Sequence, residues 1–97
     1  MPTYISLLNW TEKGEANVRD TAQREAAFAK TAKKLGAKVV QAYWTMGSHD
    51  GVLIFEAPDE ETATAAMLAL GGSGNVNTQT MRAFSAAEMA KIVAKLQ

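Results

Sequence analysis

Residues 38–57 read KVVQAYWTMGSHDGVLIFEA, and the second half of this stretch decides the fold. Residues 38–46 and 50–57 are both rich in branched and aromatic side chains. Gly47-Ser48-His49 separates them, and Gly51 follows just beyond. Short spacing with paired glycines predicts a β-hairpin. In its second strand Val52 and Ile54 share one parity while Leu53 and Phe55 share the other. A strand with one wet face would alternate with polar residues, so a strand apolar on both parities is expected to be covered on both sides.

Working outward, residues 2–10 (PTYISLLNW) read as a strand with the same habit: Ile5 and Leu7 oppose Tyr4, Leu8 and Trp10. Thr11 stops it. Residues 11–35 have a helical pattern in two pieces, with Asp20 and Gln23 spaced as a capping box that restarts the helix. Phe28, Ala32 and Leu35 fall on one face, and Gly36 stands where a left-handed C-terminal residue is wanted. Beyond the hairpin, Pro58-Asp59 opens a helix whose Ala63, Ala66, Met67 and Leu70 make one buried stripe. Residues 71–75 (GGSGN) read as a flexible break and residues 76–84 as a fourth strand. Asn77, Thr78, Gln79 and Thr80 make that strand polar, as suits a sheet edge. Ser85 and Glu88 form a capping box before a last helix with Met89, Ile92, Val93 and Leu96 in register.

The order β-α-β-β-α-β plus a C-terminal helix predicts an α+β, ferredoxin-like domain with a four-stranded antiparallel sheet. Right-handed crossovers put its first two helices on the same face. The other face, four strands by five residues, projects about 300 Å² before side-chain relief. Apolar positions on that face predict homo-oligomerisation, a dimer or higher, through the open sheet.

At 97 residues the chain fits one domain, residues 1–97. Ten basic residues balance ten acidic ones, so the basic excess typical of nucleic-acid and membrane-surface binders is absent, and neither partner is expected. The absence of cysteine excludes disulfides, zinc–thiolate sites and iron–sulfur clusters. No metal or other cofactor is expected. The start of the chain lacks the basic and apolar regions of a signal peptide, and the apolar run at 65–70 is too short to span a bilayer, which predicts a cytoplasmic protein.

Several segments carry a resemblance. Met1-Pro2-Thr3-Tyr4-Ile5, Tyr43-Trp44-Thr45-Met46-Gly47, Asp50-Gly51-Val52, Glu56-Ala57-Pro58-Asp59, Gly74-Asn75-Val76 and Arg82-Ala83-Phe84, with Thr78 and Thr80, look like the GYD-domain family. The resemblance covers essentially the whole chain. It implies a short bacterial protein of the dimeric α/β-barrel group of ferredoxin-like folds. His49 departs from the pattern, standing where the family usually has Tyr before the Asp.

Two sets of residues are candidates for chemistry. His49 and Asp50 are the adjacent pair suited to acid–base work. The plainer reading is that Asp50 organises the hairpin through its carboxylate with His49 exposed beside it. Trp10, Tyr43 and Trp44, with Asn9 and Arg82 nearby, are candidates to line a pocket for a small apolar ligand; ordinary packing of aromatics is the alternative. Strand parity sends Tyr43 and Trp44 to opposite faces, so only one can enter a given pocket. The glycines at 71–74 follow a helix and precede a strand, the reverse of a phosphate cradle. The third strand lacks the basic residues an RNA-binding sheet displays. Two functions follow: an oligomeric module that binds a small molecule or serves in assembly, or a cofactor-independent enzyme using His49 and Asp50 in a pocket between sheet and helices.

Overall fold

The computed structural model describes residues 1–96. Its strands are β1 (Thr3–Trp10), β2 (Lys38–Trp44), β3 (Gly51–Glu56) and β4 (Val76–Ala83), and its helices α1 (Glu12–Ala16), α2 (Thr21–Leu35), α3 (Glu60–Gly72) and α4 (Ala86–Val93). All pairings are antiparallel and the sheet order is β2-β3-β1-β4. The two strands apolar on both parities, β1 and β3, are therefore the central pair.

The register separates the faces as the alternation predicts. Tyr4 pairs with Phe55 and Ser6 with Leu53; all four are buried beneath α2 and α3. The Tyr4 and Phe55 rings stack across the strands at 5.3 Å between centroids. Phe28 and Ala32 from α2, with Ala63, Ala66 and Met67 from α3, complete this core. Ser6, the buried polar residue of the group, accepts a hydrogen bond from the Thr80 hydroxyl at 3.0 Å. On the other face the row Val52–Leu7–Gln79 and the row Ile54–Ile5–Met81 run across β3, β1 and β4, and none of these six residues is buried.

Three sequence expectations need correction, and one is borne out in detail. The helix does restart at Thr21, but Asp20 makes no side-chain cap; a 3-10 turn at Val18–Asp20 leads into α2 instead. The N-terminal piece begins at Thr11 as expected, its hydroxyl accepting from Gly14 N–H at 3.1 Å to cap α1. Leu35 is exposed rather than part of the α2 core face. The predicted loop at 71–75 is neither long nor loose. Helix α3 continues through Gly72, and the remaining turn is stitched to α1: Thr11 Oγ1 donates to Gly74 O at 2.6 Å, Lys13 Nζ to Ser73 O at 3.0 Å and Thr11 N–H to Asn75 O at 3.0 Å. Gly74 has φ +81°, which only glycine adopts without strain.

Helix α4 has its predicted capping box, Ser85 Oγ accepting from Glu88 N–H and Glu88 Oε1 from Ser85 N–H. Its apolar stripe, however, is unpacked: Met89 is 48% exposed, Val93 49% and Leu96 78%. The molecule measures 52 × 31 × 17 Å, with a radius of gyration of 14.6 Å. A compact chain of this length would have about 12.5 Å. No helix is long and apolar enough to cross a membrane among the described residues.

Candidate functional site

The sequence candidates divide among three places. Trp10 and Trp44 both line a cleft on the helix-covered side, between the sheet and helices α2 and α3. Asn9 and Tyr43 belong to the open face, where Tyr43 pairs with Val52 and Asn9 with Asn77. Parity places Tyr43 and Trp44 at alternate positions of β2, yet both residues belong to the cleft lining, contrary to the expectation that only one could. Arg82 lies at the far end of β4.

The cleft has a volume of about 280 Å³. Its floor follows from one register row: Trp44 on β2, Gly51 on β3 and Leu8 on β1 lie side by side. Gly51 is buried and contributes no side chain, so the floor is bare between two large neighbours. A Cβ there would stand 3.1 Å from Tyr43 O and 3.5 Å from Leu8 Cδ1. Phe28 and Leu70 close the cleft from the helices, and Ala27 and Ala69 leave its mouth open. Trp44 is held at that mouth by its Nε1–H, which donates to Thr21 Oγ1 at 2.9 Å. Arg24 and Glu25, one turn further along α2, reach the rim.

His49 and Asp50 turn to different partners. Asp50 Oδ2 accepts from the Trp10 N–H at 2.9 Å, and its backbone N–H donates to Leu8 O at 2.8 Å. One residue thereby clamps the hairpin onto the end of β1, and Asp50 is among the residues that line the cleft. His49 Nδ1 lies 3.0 Å from Asn9 Oδ1. Asn9 Nδ2–H donates to Ser48 O at 2.9 Å, which turns Oδ1 toward the ring and makes Nδ1–H the donor. Thr45 Oγ1 closes the turn by donating to His49 O at 2.6 Å.

Arg82 serves the junction between β4 and α4. Its Nη2 donates to Glu88 Oε2 at 3.0 Å, Nη1 donates to the Thr3 and Ala83 carbonyls, and the guanidinium lies 4.6 Å from the Phe84 ring centroid. The Ser85 N–H, followed by Arg82, holds the Glu88 carboxyl below the usual glutamate range. The Thr62 N–H, 2.7 Å away, likewise lowers Asp59 at the start of α3. Among the described residues no cluster of three or more histidine and carboxylate side chains gathers to hold a metal ion.

Of the sequence candidates Trp10, Tyr43, Trp44 and Asp50 lie in the cleft lining, whereas Arg24, Glu25 and the glycine floor were not among the candidates. The two charges read as an ordinary solvated helix surface. Gly51 read as turn punctuation, though its missing side chain is what makes the floor.

Two helices over one face of an antiparallel sheet ordered β2-β3-β1-β4 define a ferredoxin-like α+β domain. Within that class the chain belongs to the GYD domain family, whose model matches residues 4–93. It is 33% identical over 90 residues to the glutamine synthetase and cystathionine beta-lyase binding protein of Thermus thermophilus, covering 92% of this chain and 95% of that protein.

Proposed function

We propose that this protein is a non-enzymatic assembly module: a homo-oligomer, joined through its open sheet faces, that binds metabolic enzymes as protein partners. The observation that carries this reading is the uncovered apolar face formed by Ile5, Leu7, Val52 and Ile54. Leaving such a surface in water forfeits about 25 cal/mol per Å², a loss that a partner removes. The thickness of 17 Å fits one sheet and one helix layer, with room for a second sheet against the open side. The sheet projects only about 300 Å², whereas a standard interface takes about 800 Å² from each partner. The unpacked stripe of α4 is the remaining apolar surface able to extend the contact. The name of the Thermus relative supplies the class of partner, enzymes such as glutamine synthetase and cystathionine beta-lyase.

The enzyme reading draws less from the geometry. His49 is engaged with Asn9 rather than aimed into the cleft, and an oxygen of Asp50 is engaged by Trp10 N–H. The test is light scattering on the purified protein, followed by biolayer interferometry against glutamine synthetase and cystathionine β-lyase purified from its own host. The expected result is an oligomer that binds at least one of them. A monomer at micromolar concentration that binds neither would overturn the proposal.

A further inference from the structure

The cleft over Gly51 is separate from the sheet face assigned to assembly, and its chemistry is specific enough to name a ligand class. We propose that it binds a small organic ammonium ion with an apolar body, the body lying on the Gly51 floor and the charged nitrogen meeting the carboxylates of Asp50 and Glu25.

Size comes first. At about 280 Å³ the cleft lies just under the range of roughly 300–1,000 Å³ that accommodates drug-sized molecules, so its occupant is smaller than those. Shape comes from the register row already described, a slot one residue wide between Trp44 and Leu8. A flat or narrow apolar group fills it without displacing a side chain.

Charge decides the rest. Two acidic residues, Asp50 and Glu25, and one basic residue, Arg24, belong to the cleft lining, a formal balance of −1. Arg24 Nη1 is committed to the Asn17 carbonyl at 2.6 Å. Neither acid forms an ion pair; the ion pair among the described residues is Arg82–Glu88, at the other end of the sheet. Asp50 uses Oδ2 for Trp10 N–H, and a carboxylate has acceptor capacity for more than one donor. A charged nitrogen entering an apolar cleft is costly to desolvate unless it is paired, and here it meets carboxylates. The two tryptophans on the walls add the aromatic faces that attract cations most strongly. An anionic ligand of the same shape would meet the same carboxylates as repulsion.

The probe is 2-phenylethylammonium, compared with 3-phenylpropionate and 2-phenylethanol, which match it in body and differ in charge. The chain's two tryptophans both line the cleft, so intrinsic fluorescence reports occupancy directly. The ammonium ion is expected to give a saturable change with Kd below about 1 mM, at least about tenfold tighter than the carboxylate. Ala69→Phe, at an exposed position of α3 on the rim, is expected to abolish binding while leaving the circular dichroism spectrum unchanged. Glu25→Gln and Asp50→Asn should each reduce the preference for the ammonium ion over the alcohol. Absence of saturation by 2-phenylethylammonium, equal binding of the carboxylate, or unchanged binding by folded A69F would each overturn the proposal.

Discussion

Gly14 is buried in the first turn of the chain's shortest helix, and its importance comes from a residue more than sixty positions away. A Cβ on Gly14 would stand 1.9 Å from the carbonyl oxygen of Asn75 and 2.8 Å from its carbonyl carbon. Both are backbone atoms, so no side chain can rotate aside. Alanine gains about 1 kcal/mol over glycine in a helix. Against that, forced overpacking costs about 1–3 kcal/mol, and the Thr11 N–H bond to Asn75 O is strained with it. The second effect wins. Gly14→Ala is expected to lower the melting temperature by about 10 °C, and an unchanged or raised midpoint would contradict the close approach. Gly14 carries no signal in the sequence because its constraint is tertiary. Gly36, with φ +96° at the end of α2, was legible because its constraint is local. The candidate site divides in the same way. The tryptophans and Asp50 stand out by residue type, while the floor exists only once three strands lie in register.

Among the elements, the alternation of β1 and β3 and the Ala63, Ala66, Met67 stripe of α3 carried their faces openly, because each pattern matches the period of its own backbone. The stripe of α4 was equally readable, yet periodicity says only that a face seeks cover and never what covers it. That helix is fixed at its start by the Ser85–Glu88 capping box and the Arg82 ion pair. Glu88 is held below its ordinary value, so its contribution is fully present above that value and is lost as pH falls through the lowered one. Acidification through the carboxylate range is therefore expected to fray α4 before the sheet responds. The amide protection factor at Glu88, whose N–H is bonded to Ser85 Oγ, should fall at low pH while that of Phe55 in β3 does not. Glu88→Gln should remove most of this pH dependence, and simultaneous loss of both signals would sink the assignment.

For the whole molecule, the radius of gyration of 14.6 Å and the uncovered sheet face are the two features on which the proposed assembly rests. If the open faces join two copies, a charge at the centre of that face must be desolvated on assembly without disturbing the helix-covered core. Ile54→Asp is expected to yield a folded monomer by light scattering, with far-UV circular dichroism retained. A variant that stays oligomeric would move the interface elsewhere, to α4 or a sheet edge. The topology also sets a timetable. Strand β1, the first made, is paired with β4, the last, so that Ser6 meets Thr80 across 74 positions of sequence. Contacts this distant close late. A ribosome must deliver residue 83 before the β1–β4 ladder that runs to Ala83 is complete. Until then the apolar first strand lacks one of its two neighbours, so the sheet cannot close before β4 has been made.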